Sequence, residues 1–321
     1  MQPYDYVKGE QHFSLRLKES KLHWCCHDVT FNSAHPNRYQ KDNTAHGEYY
    51  VPSSGNCFPL VILLHGLGAL GERNPIPCKL LARDLAKLGI ASFVLELVLP
   101  ARETAKGKKE QPYAPRIEDW LELCQVMVIN ARQVIDWAET RNELDDRRVA
   151  MIGISIGGIT SAISMAVDKR IMACVLLVTG GNMEKITWRS KNDAARISHK
   201  CTESQCHEIY SQYPRYLADV EERGIENVTP AKECFWFDPL SFTRYLRGRP
   251  LLMINAEWDD SMPRDSALEF WEACGRPRIV WLPENHNTIF RRYHSIIREA
   301  TTFIDSTFGI GHKAYACPTE G

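Results

Sequence analysis

The 321-residue chain is 44% hydrophobic and 25% charged, the composition of a folded globular protein. At this length about 75% of the extended-chain surface can be buried, so folding needs no disulfide or metal staple. The 39 Lys and Arg against 40 Asp and Glu leave a formal charge of −1, which argues against a sequence-independent nucleic-acid binder, since that function needs a basic face.

The opening MQPYDYVKGEQHF has no basic start followed by an apolar stretch, so no secretory signal is expected. The longest apolar run, FPLVILLHGLGALG, is glycine-broken and too short for a bilayer. A cytoplasmic protein away from membranes is the expectation. HFSLRL, LHWCCHDVTF and GEYYVP are rich in β-branched and aromatic residues and separated by turn residues, which reads as β-hairpin material. From Pro59 the pattern becomes an alternation of buried strands and amphipathic helices. PLVILLH is a strand-length apolar run; a helix from near Pro77 places Leu80, Leu81, Leu85 and Leu88 on one face and stops at Gly89. IASFVLELVL is the next strand, followed by a loop from Pro100 to Pro115 whose AKGKKE run reads as solvated. Glu118 to Thr140 carries apolar residues at helical intervals. RRVAMIG, IMACVLLVTG, PLLMINA and RIVWLP are further strands, GGITSAISMAV opens a helix, and Ile289 to Phe308 closes the chain as another. Continuous apolar strands between helices predict an α/β fold with a mostly parallel sheet covered on both faces.

Between Gly181 and Arg249 roughly 70 residues separate two strands, against the ~2–6 usual for such connections. The expectation is one domain over residues 1–321 with a cap insertion at 181–249, because open α/β sheets bind ligands beyond their strands' carboxyl ends. Trp188 and Trp236 in this segment, and Trp258 after it, are candidate substrate-binding residues; the aromatics could equally form the insertion's own core.

The eleven cysteines are odd in number and dispersed, and Cys124 and Cys174 read as small buried hydrophobes in a reducing compartment. His23, Cys25, Cys26 and His27 alternate along a strand and so face opposite ways. His199, Cys201, Cys206 and His207 match no usual zinc spacing. No metal or cofactor is expected.

VAMIGISIGG sets Ser155 between Gly153 and Gly157, with a buried strand leading in and an apolar helix leading out. A G-x-S-x-G match is weak alone, but this context makes it a sharp strand-to-helix turn that holds the hydroxyl out at the sheet edge. A serine nucleophile needs a base, and the base an orienting carboxylate. PLLMINAEWDDSMP presents Asp259 and Asp260 after one strand, and LPENHNTIF presents His286 after the last. All three chemistries therefore emerge at strand carboxyl ends, in the order Ser, Asp, His. Oxyanion donors are expected at the Ile156 N–H and in the His65-Gly66-Leu67-Gly68 loop, at the Leu67 N–H with Gly68 as substitute. His65 reads as structural.

LLHGLG, IGISIGG, DPLSF before RGRPLLMINAEWDDSMP, and ENHN resemble the α/β-hydrolase family, and within it the dienelactone-hydrolase-like and acetyl-xylan-esterase-like esterases. The likeness covers about Pro59 to Phe308. It implies an α/β-hydrolase fold and a serine hydrolase of carboxylic esters acting through an acyl-enzyme. Aligning Pro263 with the family's pattern makes Asp259 the acid and Asp260 its rival. Serine in place of the dienelactone hydrolases' cysteine implies ordinary esters. The expected partner is a small-molecule ester, with no nucleic acid or membrane; a homo-oligomer stays open. An acylaminoacyl or dipeptidyl-type peptidase shares this domain but usually carries a large amino-terminal propeller, for which little chain precedes Pro59. A catalytically inert binding protein is the third reading, and an oil-interface lipase ranks lower.

Overall fold

The computed structural model describes residues 3–9, 12–36, 43–67, 74–97, 117–191 and 201–309. Its strands are β1 (Ser14–Ser20), β2 (Trp24–Asn32), β3 (Thr44–Pro52), β4 (Phe58–Leu64), β5 (Ala91–Leu95), β6 (Leu144–Ile154), β7 (Ile171–Leu177), β8 (Leu251–Ala256) and β9 (Arg278–Leu282). The α-helices are α1 (Ile76–Lys87), α2 (Ile117–Ala138), α3 (Ile156–Val167), α4 (Met183–Arg189), α5 (Glu203–Tyr210), α6 (Tyr213–Arg223), α7 (Cys234–Phe237), α8 (Arg264–Ala273) and α9 (Tyr293–Phe308).

The strands form one sheet in the order β1-β2-β3-β5-β4-β6-β7-β8-β9. The first three strands pair antiparallel and meet β5 antiparallel, and every pairing from β5 to β9 is parallel. The continuous apolar runs have a direct cause: each central strand is buried on both faces. Leu60, Ile62 and Leu64 of β4 enter the core shared with α2 and α3, while Val61 and Leu63 enter the core shared with α1 and α9. The amino-terminal strands extend this sheet, and Trp24 and Cys26 are buried while Cys25 and His27 on the opposite face are half-buried. Among the described residues no helix is long and apolar enough to cross a membrane.

The face of α1 differs from the expectation. Its buried residues are Cys78, Leu81, Ala82, Leu85 and Ala86, whereas Leu80 and Leu88 are exposed. Leu80 lies 100° around the helix from Leu81, and Leu88 is already the C-cap. Small residues complete the stripe that leucines were expected to fill. The AKGKKE run lies outside the described residues, as do His199 and Gly68.

The described residues between β7 and β8 are largely helical. Phe235, Phe237, Leu240 and Phe242 are fully buried in the core that contains α2 and α3, and Tyr210, Tyr213 and Tyr216 cluster around Phe235 with ring centroids 4.4–5.2 Å from it. Most of the insertion's aromatic residues thus form its packing with the sheet layer. Asp238, wholly buried, ties the segment together by accepting from the backbone N–H groups of Asn182, Met183 and Leu240 and from the Tyr210 hydroxyl. Among the described residues nine cysteines are free thiols and Cys57 is disulfide-bonded. Burial pushes the thiols of Cys78, Cys124 and Cys174 well above their ordinary range, so they act as small apolar side chains.

Candidate active site

The parallel register brings one edge of the sheet into line. Leu64 pairs with Gly153, Ile154 with Leu177, Leu177 with Ile254, and Ala256 with Leu282. Residues that follow β6, β8 and β9 therefore emerge side by side, and these are Ser155, Asp259 and His286.

Ser155 has φ 55° and ψ −118°, a conformation that costs a non-glycine residue on the order of 1–3 kcal/mol. The surroundings impose it. Its N–H donates to Leu177 O at 2.9 Å, while its carbonyl already accepts from the N–H groups of Gly158 and Ile159, which starts α3 at once. The helix can begin this close to the sheet only because residue 157 has no side chain. A Cβ on Gly157 would sit 2.2 Å from Leu64 O.

The Ser155 hydroxyl lies 3.0 Å from His286 Nε2, and His286 Nδ1 lies 2.9 Å from both oxygens of Asp259. Asp259 as a carboxylate only accepts, so Nδ1 carries the proton and Nε2 is left to accept from the serine. The Asp259 side chain is 4% exposed and that of His286 11%, which shields their contact from water. Asp259 Oδ1 also accepts from the N–H groups of Ser261 (2.9 Å) and Met262 (2.7 Å), fixing the carboxylate to its own turn. Asp260 faces elsewhere: its carbonyl accepts from Lys191 N–H and Ser190 Oγ, which fastens the end of α4 to this loop. The geometry selects Asp259 as the histidine's partner.

Leu67 and Ser155 both line a cleft of about 220 Å³, with Asn74, Pro77, Asn287 and Phe290 among its other walls. Ile156 opens α3, so its N–H has no acceptor within the helix and is directed away from it. His65 is fully buried, donates from Nδ1 to Gly66 O at 2.8 Å and accepts at Nε2 from Leu97 N–H at 3.0 Å. Both its nitrogens are committed to holding the loop after β4, as expected of a structural histidine.

The three tryptophans do not join this cleft's lining. Trp188 and Trp236 are partly buried against the core under α2 and α3, and Trp258 is 64% exposed. The walls come instead from the start of α1 and from the turn after His286, places whose proximity depends on the tertiary fold. A larger pocket of about 350 Å³ lies between α6 and α8. Its Arg247 pairs with Glu221, and its Arg244 donates to the carbonyls of Val220 and Glu221, so it presents no comparable nucleophile–base pair. Of the second Cys/His cluster, His207 is exposed and bonded to Glu184. Among the described residues no group of three His, Cys, Asp or Glu is placed to hold a metal ion.

No protein-family model matches the chain, and no curated protein matches it. Solved structures do. The acetyl xylan esterase from Paenibacillus sp. R4 superposes with a TM-score of 0.63 at 18% identity, covering 93% of this chain and 89% of that one. Acetyl xylan esterase 1 from Thermoanaerobacterium sp. JW/SL YS485 gives 0.62 at 15% identity, over 94% and 89%. An esterase from Pyrobaculum calidifontis gives 0.53 at 17% identity, over 88% and 86%. At these identities the likeness establishes the architecture, and the fold is that of the α/β hydrolases.

Proposed function

We propose that the protein is a serine hydrolase of carboxylic esters. The observation that carries this reading is the unbroken hydrogen-bonded chain from Ser155 Oγ through His286 to Asp259, beside a cleft and on a strained elbow. Ser155 attacks the acyl carbonyl while His286 Nε2 takes its proton, and Asp259 stabilises the imidazolium. The Leu67 and Ile156 N–H groups hold the developing oxyanion. The leaving alcohol takes the proton back from His286, which then activates the water that releases the acyl group from Ser155. Beyond the ester and the water that hydrolyses the acyl-enzyme, each role is filled by a group of this chain.

A cleft of 220 Å³ is below the ~300–1,000 Å³ of sites for drug-sized ligands, which suits a small-molecule ester with a short acyl chain. That two similar structures bear the name acetyl xylan esterase agrees with it. The insertion over residues 181–249 is part of the same domain, a reading supported by its aromatic residues in the common core and by the Lys191–Asp260 bond. Its described residues line none of this cleft, which favours bracing the acid loop over closing the site. Nine free thiols among the described residues, against the disulfide at Cys57, favour a reducing compartment such as the cytoplasm.

The test is hydrolysis of p-nitrophenyl acetate and butyrate by the parent protein and by Ser155→Ala. The expected result is turnover in the parent, faster on acetate, and a loss of at least roughly 10³-fold in the variant. Equal rates in both would remove Ser155 as nucleophile.

A further inference from the structure

The turn that carries His286 is held by a polar knot outside the three reacting residues. The Asn285 side chain accepts from the N–H groups of Asn287 (3.1 Å) and Thr288 (3.0 Å), closing the chain around His286. Thr288 Oγ1 accepts from Asn285 N–H at 3.1 Å and donates to Glu284 Oε2 at 2.7 Å. Glu284 is 9% exposed, and its other oxygen accepts from Arg292 Nε at 3.1 Å. The backbone of the same glutamate reaches the acid loop: its carbonyl accepts from the N–H of Trp258, the residue before Asp259, at 3.1 Å. One residue thus braces the base turn through its side chain and the acid loop through its main chain.

We propose that Glu284 is a positioning residue for the esterase chemistry, acting through Thr288 to hold His286 in line with both Asp259 and Ser155. The inference rests on the serine-esterase reading and adds to it a residue that touches neither substrate nor the reacting atoms. The physical reason is geometric. His286 must present two nitrogens to two partners on different loops at 2.9 and 3.0 Å, and nothing in its own side chain fixes the height or tilt of its turn. A misplacement near 1 Å can cost roughly 10²-fold in rate. Glu284 keeps Thr288 Oγ1 directed as an acceptor toward Asn285 N–H, because the hydroxyl proton is committed to the carboxylate.

The experiment compares the parent with Glu284→Ala, Glu284→Gln, Thr288→Val and Ser155→Ala. Two readouts go beyond rate: the acid limb of the kcat/KM–pH profile, and the low-field proton resonance of the His286 Nδ1–H bonded to Asp259. For Glu284→Ala, kcat is expected to fall by roughly 10- to 100-fold with KM within about twofold, and the resonance to weaken or vanish. The acid limb should move to lower pH, since a misaligned Asp259 stabilises the imidazolium less. Glu284→Gln retains an oxygen for Thr288 and should stay within about fivefold of the parent. Thr288→Val removes the relay without touching the Glu284–Arg292 pair, and should reproduce the direction of the alanine variant. It also keeps the proposal testable if Glu284→Ala fails to fold. Parent-like kcat, pH limb and resonance in Glu284→Ala or Thr288→Val would overturn it, as would an equal loss in Glu284→Gln. If Ser155→Ala retains the parent's activity, the esterase reading fails by itself, and the resonance still reports whether Glu284 orders His286.

Discussion

Asn255 and Thr179 exchange two hydrogen bonds across the carboxyl ends of β8 and β7. Thr179 N–H donates to Asn255 Oδ1 at 3.0 Å, and Asn255 Nδ2 donates to Thr179 O at 3.2 Å. Both residues are essentially inaccessible to water. The side chain of one strand therefore satisfies the backbone of its neighbour just where the sheet ladder ends and the loops of the site begin. Asn255→Leu keeps the volume but strands a buried N–H and a buried C=O. At about 1–3 kcal/mol for each of the two unsatisfied groups, the expected loss is about 2–6 kcal/mol, read as a lowered urea midpoint with an unchanged slope.

The Thr179 hydroxyl also limits what can stand at the start of α3. A Cβ on Gly158 would lie 1.9 Å from Thr179 Oγ1, whereas one on Gly157 would lie 2.2 Å from the backbone oxygen of Leu64. The two obstructions differ in kind. Gly158→Ala should lower activity at least roughly 10-fold, and adding Thr179→Ala should restore much of it, because the obstructing atom has been removed. No side-chain change can relieve Gly157→Ala, so that variant should stay inactive in every background. Esterase assays of the double variants beside far-ultraviolet circular dichroism separate the cases. Absence of rescue at position 158 would show that the elbow, rather than Thr179, carries the constraint.

Burial pushes the Asp238 carboxyl up to about 6, against the hydrogen bonds from Met183, Leu240, Asn182 and Tyr210 that favour its ionised form. In the unfolded chain the same group titrates near the ordinary ~3.9. The folded state therefore holds this proton over a window from about pH 4 to pH 6, where the unfolded state has released it. The group's contribution to stability is full below that window and is lost as pH rises through it, by on the order of 2–3 kcal/mol. Asp238→Asn removes the titration. It should be destabilising at every pH, since its amide nitrogen would face a backbone donor, but its deficit relative to the parent should shrink between pH 4.5 and pH 7. Urea midpoints of both proteins at those two values decide it; a constant deficit would place the carboxyl's pKa outside the window.

How much of this could be read before folding depends on the range over which each feature is determined. The elbow at Ser155 and the placing of Asp259 and His286 at strand ends follow from local patterns, because a strand buried on both faces must be continuously apolar and its end is visible as the first polar residues. The choice between Asp259 and Asp260 needed the side-chain directions. Trp188, Trp236 and Trp258 show the limit in another form: an aromatic residue near a strand end packs wherever the fold leaves a gap, and two of these found the core while one remains exposed. Asn74, Pro77 and Phe290 line the cleft although they are distant in sequence from Ser155. Glu284 lay two residues from His286 in plain view, but its value comes from three partners that only the folded turn assembles. The strand order, with β5 outside β4, is equally invisible in a list of apolar runs.

The two adjacent aspartates offer a comparison with little change in composition or stability. Asp259 accepts from His286 and from two N–H groups of its own turn, whereas among the described residues the Asp260 side chain has only a 3.5 Å contact from Ser261 Oγ. Asn at position 259 can keep one oxygen for the turn, but its amide then faces His286 Nδ1 with N–H. The histidine would be driven to carry its proton on Nε2, where it can no longer accept from Ser155. Asp259→Asn should therefore lower kcat by roughly 10³- to 10⁴-fold near neutral pH. Asp260→Asn should stay within about threefold, since the bonds to Ser190 and Lys191 use its carbonyl, which the substitution preserves. Steady-state rates on p-nitrophenyl acetate for the two variants, measured beside the parent at pH 7.5, test the assignment. Comparable losses in both would mean that the loop after β8 acts as a unit; a larger loss at 260 would transfer the orienting role to the neighbour.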